Sequence, residues 1–166
     1  MIITELIDSK IIMGERNYEA AINLVVTAAQ HELVIFDQDF TKGGFASREK
    51  FELLQRFLSK KMTNKLTIIL QNTHFFSNNC PRLQSLLSTY GHMMTVFETN
   101  DTAKIAKECF VVADKKHYCH RFHIDQARFK YALDAQNNES VAGLLMRYDA
   151  IFTETTAVFS ATKLGL

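Results

Sequence analysis

Short runs of consecutive apolar residues alternate along this chain with segments whose apolar residues recur every third or fourth position, and no linker-like tract separates them. The runs are Leu33-Val34-Ile35-Phe36, Leu66-Thr67-Ile68-Ile69-Leu70, Met94-Thr95-Val96-Phe97 and Phe110-Val111-Val112-Ala113. Runs this short and this apolar read as strands covered on both faces. The intervening segments read as amphipathic helices. Over 17–30, Ala21, Leu24, Val25 and Ala28 share one face, with Asn17 as the N-cap. A second helix starts near Ser47, places Glu49 at the positive end of its dipole, and turns Phe51, Leu54, Phe57 and Leu58 inward. A third carries the chain's one proline, Pro81, in its first turn, where a missing N–H costs little. Leu83, Leu86, Leu87 and Tyr90 follow, and Gly91 ends it. Residues 101–108 suit a short helix, and 118–122 with 129–133 suit a meander of short strands. The final helix presents Val141, Leu144, Leu145, Tyr148, Ile151 and Phe152 along one stripe.

Strands that alternate with helices define the α/β class. The expectation is a three-layer α/β/α arrangement, with helices on both faces of a mostly parallel sheet and mixed edges from the late meander. A chain of 166 residues fits a single domain, here with a core over about 17–155. Its net charge of +1 argues against a whole-surface attraction for nucleic acid or acidic membrane, and leaves a local basic cluster open. Glu5, Asp8 and Lys10 interrupt the N-terminal segment, which reads as neither signal peptide nor anchor. No apolar stretch approaches the ~20 residues of a membrane span, so a cytoplasmic protein is expected. Cys80, Cys109 and Cys119 are scattered and odd in number, which fits reduced thiols.

Ligands of open α/β sheets sit beyond the carboxyl ends of the strands. Those ends read Asp37-Gln38-Asp39, Gln71-Asn72-Thr73-His74 and Glu98-Thr99-Asn100, a polar rim at the expected place. Each loop alone also fits ordinary turn and capping roles. The densest chemistry lies between Asp114 and Arg128, where His117, His120 and His123 accompany Arg121, Asp125 and Arg128. An extended 118–125 would place Cys119, Arg121, His123 and Asp125 on one face and His120, Phe122 and Ile124 on the other. His123 oriented by Asp125 or Asp39 would suit general-base or nucleophilic work, and Arg121 and Arg128 could take a phosphate or carboxylate. An Arg121–Asp125 ion pair bracing the turn is the structural alternative. The three histidines would share a face only on a helix, whereas the flanking Tyr118, Phe122 and Ile124 favour a strand, so neither a metal nor a cofactor is implied.

From about residue 17 to 155 the chain resembles a phospholipase D-like domain, most closely over 110–154. There Phe110-Val111-Val112-Ala113-Asp114, a turn, two short strands and Asn137-Asn138-Glu139-Ser140 before the last helix follow that family's closing pattern. The family's strand carries H-x-K-x4-D. Asp114 matches the aspartate, while Lys107 and Cys109 stand where the histidine nucleophile and the phosphoryl-stabilising lysine belong. The chain also resembles a group of uncharacterised bacterial domains, sometimes joined to an acetyltransferase domain. Their signatures here are Phe36-Asp37-Gln38-Asp39-Phe40 and Arg121-Phe122-His123 through Asp125 to Arg128. The resemblance implies a catalytically degenerate half that binds an anionic ligand through Asp37, Asp39, Arg121, His123, Asp125 and Arg128, or that serves a protein partner such as an acetyltransferase. The alternative is a divergent phosphodiesterase or hydrolase that uses His123. Two phospholipase D-like halves normally build one site, so a homodimer is expected.

Overall fold

A computed structural model of the chain describes residues 10–159. The expectation for the N-terminal segment falls largely on residues 1–9, outside the described part. Among the described residues no helix is long and apolar enough to cross a membrane.

The chain runs β1 (Ile12–Met13), α1 (Glu15–Ala28), β2 (Glu32–Asp37), α2 (Arg48–Lys60), β3 (Lys65–Leu70), α3 (His74–Asn79), α4 (Pro81–Thr89) and β4 (Met94–Thr99). A 3-10 turn (Asp101–Ile105) follows, then β5 (Cys109–Ala113), β6 (His117–His123), β7 (Gln126–Ala132), α5 (Glu139–Phe152) and β8 (Thr155–Phe159). Local chemistry accounts for most starts. The Ser47 side chain accepts the Lys50 amide at the head of α2, Pro81 opens α4, and Asn138 accepts the Ser140 amide at the head of α5. Helix α1 starts earlier than the Asn17 cap implied. Gly14, at φ 110, makes the turn that few other residues tolerate, and Asn17 sits inside the helix with its side-chain amide donating to the Met13 carbonyl.

The eight strands form one mixed sheet in the order β1-β7-β6-β5-β2-β3-β4-β8. Only β2–β3 and β3–β4 are parallel; β5 runs antiparallel to β2, as does every remaining neighbour pair. This corrects the mostly parallel expectation. The connection from β4 to β5 is a single 3-10 turn and an extended segment, not the helical crossover that a parallel return requires.

Alternate residues along each strand feed two apolar clusters. Leu33, Ile35, Ile68, Val96, Val111 and Phe129 pack with Ala21, Ile22 and Val25 of α1, Leu54 and Phe57 of α2, and Leu83 and Leu86 of α4. Phe36, Ile69, Phe110, Val112 and Tyr118 pack with Val141, Leu144 and Ile151 of α5. Cys80, Cys109 and Cys119 are free and buried.

Asp114, the one residue matching the phospholipase D-like triad, sits at the far end of the sheet from the rim. Its carboxylate accepts the amides of Gln30, His31 and Glu32 at 2.8–3.0 Å and so fixes the entry into β2. Burial works against its charge, but those amides outweigh it and hold the carboxyl below the usual carboxylate range. Asp114→Ala is expected to cost about 2 kcal/mol in urea unfolding, since charge-assisted bonds are worth more than neutral ones. Asp114→Asn, which keeps one acceptor and tolerates the φ of 55 at this position, should lose less.

Candidate functional site

Because β5 runs antiparallel to β2, its first residues return to the carboxyl end of β2 and lie beside the end of β6. Phe36 pairs with Phe110, and Cys109 pairs with Arg121. Asp37, Cys109 and Arg121 therefore meet beneath α1, on the same sheet face as Val111 and Phe129. Asp37 is 1% exposed. One carboxyl oxygen accepts the Phe40 amide at 2.7 Å; the other is buried without a conventional donor, and the Cys109 thiol lies against the carboxyl. Burial pushes Asp37 up to about 6. Burial and the neighbouring carboxyl push the Cys109 thiol well up, which keeps it protonated and poorly nucleophilic.

Arg121 does not face a ligand. Its side chain is 1% exposed and forms a bidentate pair with Glu15 at 2.7 and 3.0 Å. Further donors reach the carbonyls of Ile124 at 2.6 Å and His123 at 3.3 Å, and the guanidinium lies 4.9 Å from the Tyr18 ring centre. The partner is thus Glu15 in the first turn of α1, not Asp125, and the phosphate role read for Arg121 is corrected on that ground. Nothing in sequence spacing pairs residues this far apart.

The alternating faces expected over 118–125 stop at Arg121, because the β6–β7 register shifts between Arg121 and His123. His123 is exposed, and its Nδ1 accepts the Asp125 amide at 3.1 Å. That leaves the proton of a neutral ring on Nε2. The Asp125 carboxylate is 3.8 Å from Nδ1, beyond hydrogen-bond length, so it does not orient His123 as a base. On the opposite sheet face a different imidazole has a carboxylate: His120 Nε2 and Arg147 Nε reach the same Glu108 oxygen at 3.0 and 2.9 Å. This triad joins β6 to α5, and sequence reading missed it.

The loops of the rim are spent mostly on one another. Gln38 donates to the carbonyls of Ala106 and Glu108, and Gln71 to those of Ala103 and Ala106. Together they pin the 3-10 turn across the ends of β2 and β3, where a ligand crevice was expected. Asp39 folds back on the Thr41 amide and hydroxyl, and Glu98 holds the Thr73 amide and hydroxyl. Lys50 is likewise buried, its ammonium bonded to the Gly43 carbonyl and 4.5 Å from the Phe45 ring; burial brings it down to about 8. Of the two arginines read as anion donors, Arg128 is exposed and in no ion pair among the described residues. It lines a shallow groove of about 670 Å³ with Met13, Gly14, Gln126 and Ala127.

A mixed sheet with helices packed on it and a buried acid–thiol contact at its rim define an α/β domain. The chain belongs to the family described as Domain of unknown function (DUF7931), whose model matches residues 14–154. Among solved structures it is similar to TrmBL2, described as an archaeal chromatin protein with a novel mode of DNA binding, at 14% identity and a TM-score of 0.63. That match covers 93% of this chain and 56% of TrmBL2, so the chain spans just over half that protein's length. It is also similar to NucT from Helicobacter pylori, at 14% identity and a TM-score of 0.59, covering 89% of this chain and 97% of NucT. At such identities the likeness is one of fold. No curated protein matches the chain.

Proposed function

We propose that the chain is a single three-layer phospholipase D-like half that has lost its catalytic pair and acts as a binding module for an anionic or phosphorylated ligand, working as a two-fold homodimer. The observation that carries this reading is the state of the two positions where the resemblance places the chemistry. Lys107 is exposed, and Cys109 is buried as a thiol against Asp37. Neither offers a phosphoryl group a nucleophile, and His123 lacks the oriented carboxylate that a relocated mechanism would use. Arg128, exposed and free of an ion pair, supplies a bidentate donor for an anion. The description of TrmBL2 as binding DNA gives an anionic precedent on a similar fold.

The test pairs binding with turnover. Isothermal titration with inorganic phosphate and nucleotides should give heat that Arg128→Ala removes. Bis-p-nitrophenyl phosphate should show no turnover above blank, with or without EDTA. Turnover that survives EDTA and disappears in His123→Ala would replace the binding module with a hydrolase.

A further inference from the structure

A net charge of +1 averages over an uneven surface. Residues paired across strands share a sheet face, as do residues two apart on one strand. His120 pairs with Phe110, which packs under α5, and on its other side His120 pairs with Lys130. Arg128, two residues before Lys130, pairs with Met13 of β1. Phe122, two residues after His120, meets that ring edge-on at 5.0 Å. These side chains therefore gather on the α5 face of β6, β7 and β1, with His120 at the edge that meets α5 through Glu108 and Arg147. Met13 is 67% exposed and Phe122 36%, and the Arg128 groove continues the patch at its outer edge.

The charge on this face has one sign. Strands β6 and β7 contain no carboxylate, and Arg128 and Lys130 have no ion-pair partner among the described residues. The nearby acid just before β5, Glu108, is already held by His120 and Arg147. Asp125 lies in the turn beyond the strands.

We propose that this sheet face binds single-stranded nucleic acid, with Arg128 and Lys130 on phosphates and Phe122 as a stacking ring. The two cations lie about 7 Å apart along one strand, a separation that neighbouring phosphates of an extended strand can bridge. A sheet face with a ring standing on it recognises unpaired bases, whose faces are free, whereas a duplex offers only its edges and backbone. The inference deepens the binding-module reading by naming a ligand class. Hydrolase activity would remove that reading and leave this one, whereas phosphate binding without oligonucleotide binding would remove this one alone.

The probe is a short fluorescein-labelled oligothymidylate, followed by anisotropy on the full chain at about 50 and 200 mM salt. Binding should weaken with salt at a log–log slope near −1.4, about −0.7 for each of two phosphates. The double variant Arg128→Ala with Lys130→Ala should lose at least about tenfold in affinity and flatten that slope. Phe122→Ala should lose at least about fivefold and leave the slope unchanged. An unaltered circular dichroism spectrum separates these losses from misfolding. No anisotropy change up to about 100 μM protein, the weak end of non-specific binding, overturns the proposal. So does equal affinity for a hairpin duplex, or binding indifferent to the substitutions. A two-chain light-scattering mass that the patch variants reduce to one, without oligonucleotide binding, assigns the face to a second copy and equally overturns it.

Discussion

Arg121→Ala should cost about 3 kcal/mol at pH 7, the lower end of what breaking a buried ion pair costs. Wild type anchors three groups on one fork: both oxygens of Glu15, the Ile124 carbonyl and the His123 carbonyl. Removing the side chain leaves a cavity against Tyr18 and frees the β6–β7 turn from α1. The cost stays below a fully stranded charge because Glu15 is 48% exposed and can rehydrate. For a chain of this size, a loss of that order lowers the melting temperature by roughly 6–12 °C. Arg121→Lys should recover less than half, since a point charge cannot span a carboxylate and two carbonyls together. The pH dependence has a fixed sign. The Arg121 fork holds the Glu15 carboxyl below its ordinary range. Its contribution is therefore present above the unfolded pKa and lost as pH falls through the folded one, so the gap between wild type and variant narrows in acid. Urea unfolding of both proteins from neutral to acidic pH measures this. A loss under about 1 kcal/mol at pH 7 would show the pair to be ornamental.

That pair also marks where sequence reading stops. Strands β2 and β3, the helix start near Ser47 and the proline at the head of α4 were all legible, because each depends on residues within a few positions of one another. Strand β8 and the two-residue β1 lie at the edges of the sheet and carry too little period to stand out. Helix α3 has only six residues and buries only Phe76, so no helical stripe could announce it. The direction of β5 was hidden for another reason: a run such as Phe110-Val111-Val112-Ala113 reads the same either way. Yet direction decides the site, since only an antiparallel β5 brings Cys109 beside Asp37. The polar rim itself was placed correctly, but its purpose was not legible. Gln38 and Gln71 donate to carbonyls in and just after the 3-10 turn, and no residue type in a sequence says which carbonyl an amide will find. The β6–β7 register shift after Arg121 had a similar effect, because a strict alternation carried past it puts His123 beside Arg121.

Asp37→Asn should stabilise the protein at neutral and alkaline pH. The carboxyl is fully buried and pushed up to about 6, so the folded chain keeps its proton through a range in which the unfolded chain has lost it. Stability attributable to this group therefore falls as pH rises from about 4 to 6, and levels off above the folded pKa. At 1.36 kcal/mol per pKa unit, ionising Asp37 costs about 3 kcal/mol by pH 8. Asparagine keeps an oxygen for the Phe40 amide, whose residue holds a φ of 73, and carries no charge into the buried rim. The stability of Asp37→Asn relative to wild type should rise by about 3 kcal/mol between pH 4 and 8. Parallel pH profiles would mean that Asp37 titrates in the folded protein as it does in the unfolded chain, with no net cost to burying its charge. This slope is opposite to the one Glu15 produces, so the two substitutions separate cleanly in one pH series. The contrast also bears on the site. Fixing the Phe40 turn needs only an acceptor, which asparagine supplies without the cost of burying a charge. The pH series therefore measures the cost of burying a charge at the carboxyl end of β2.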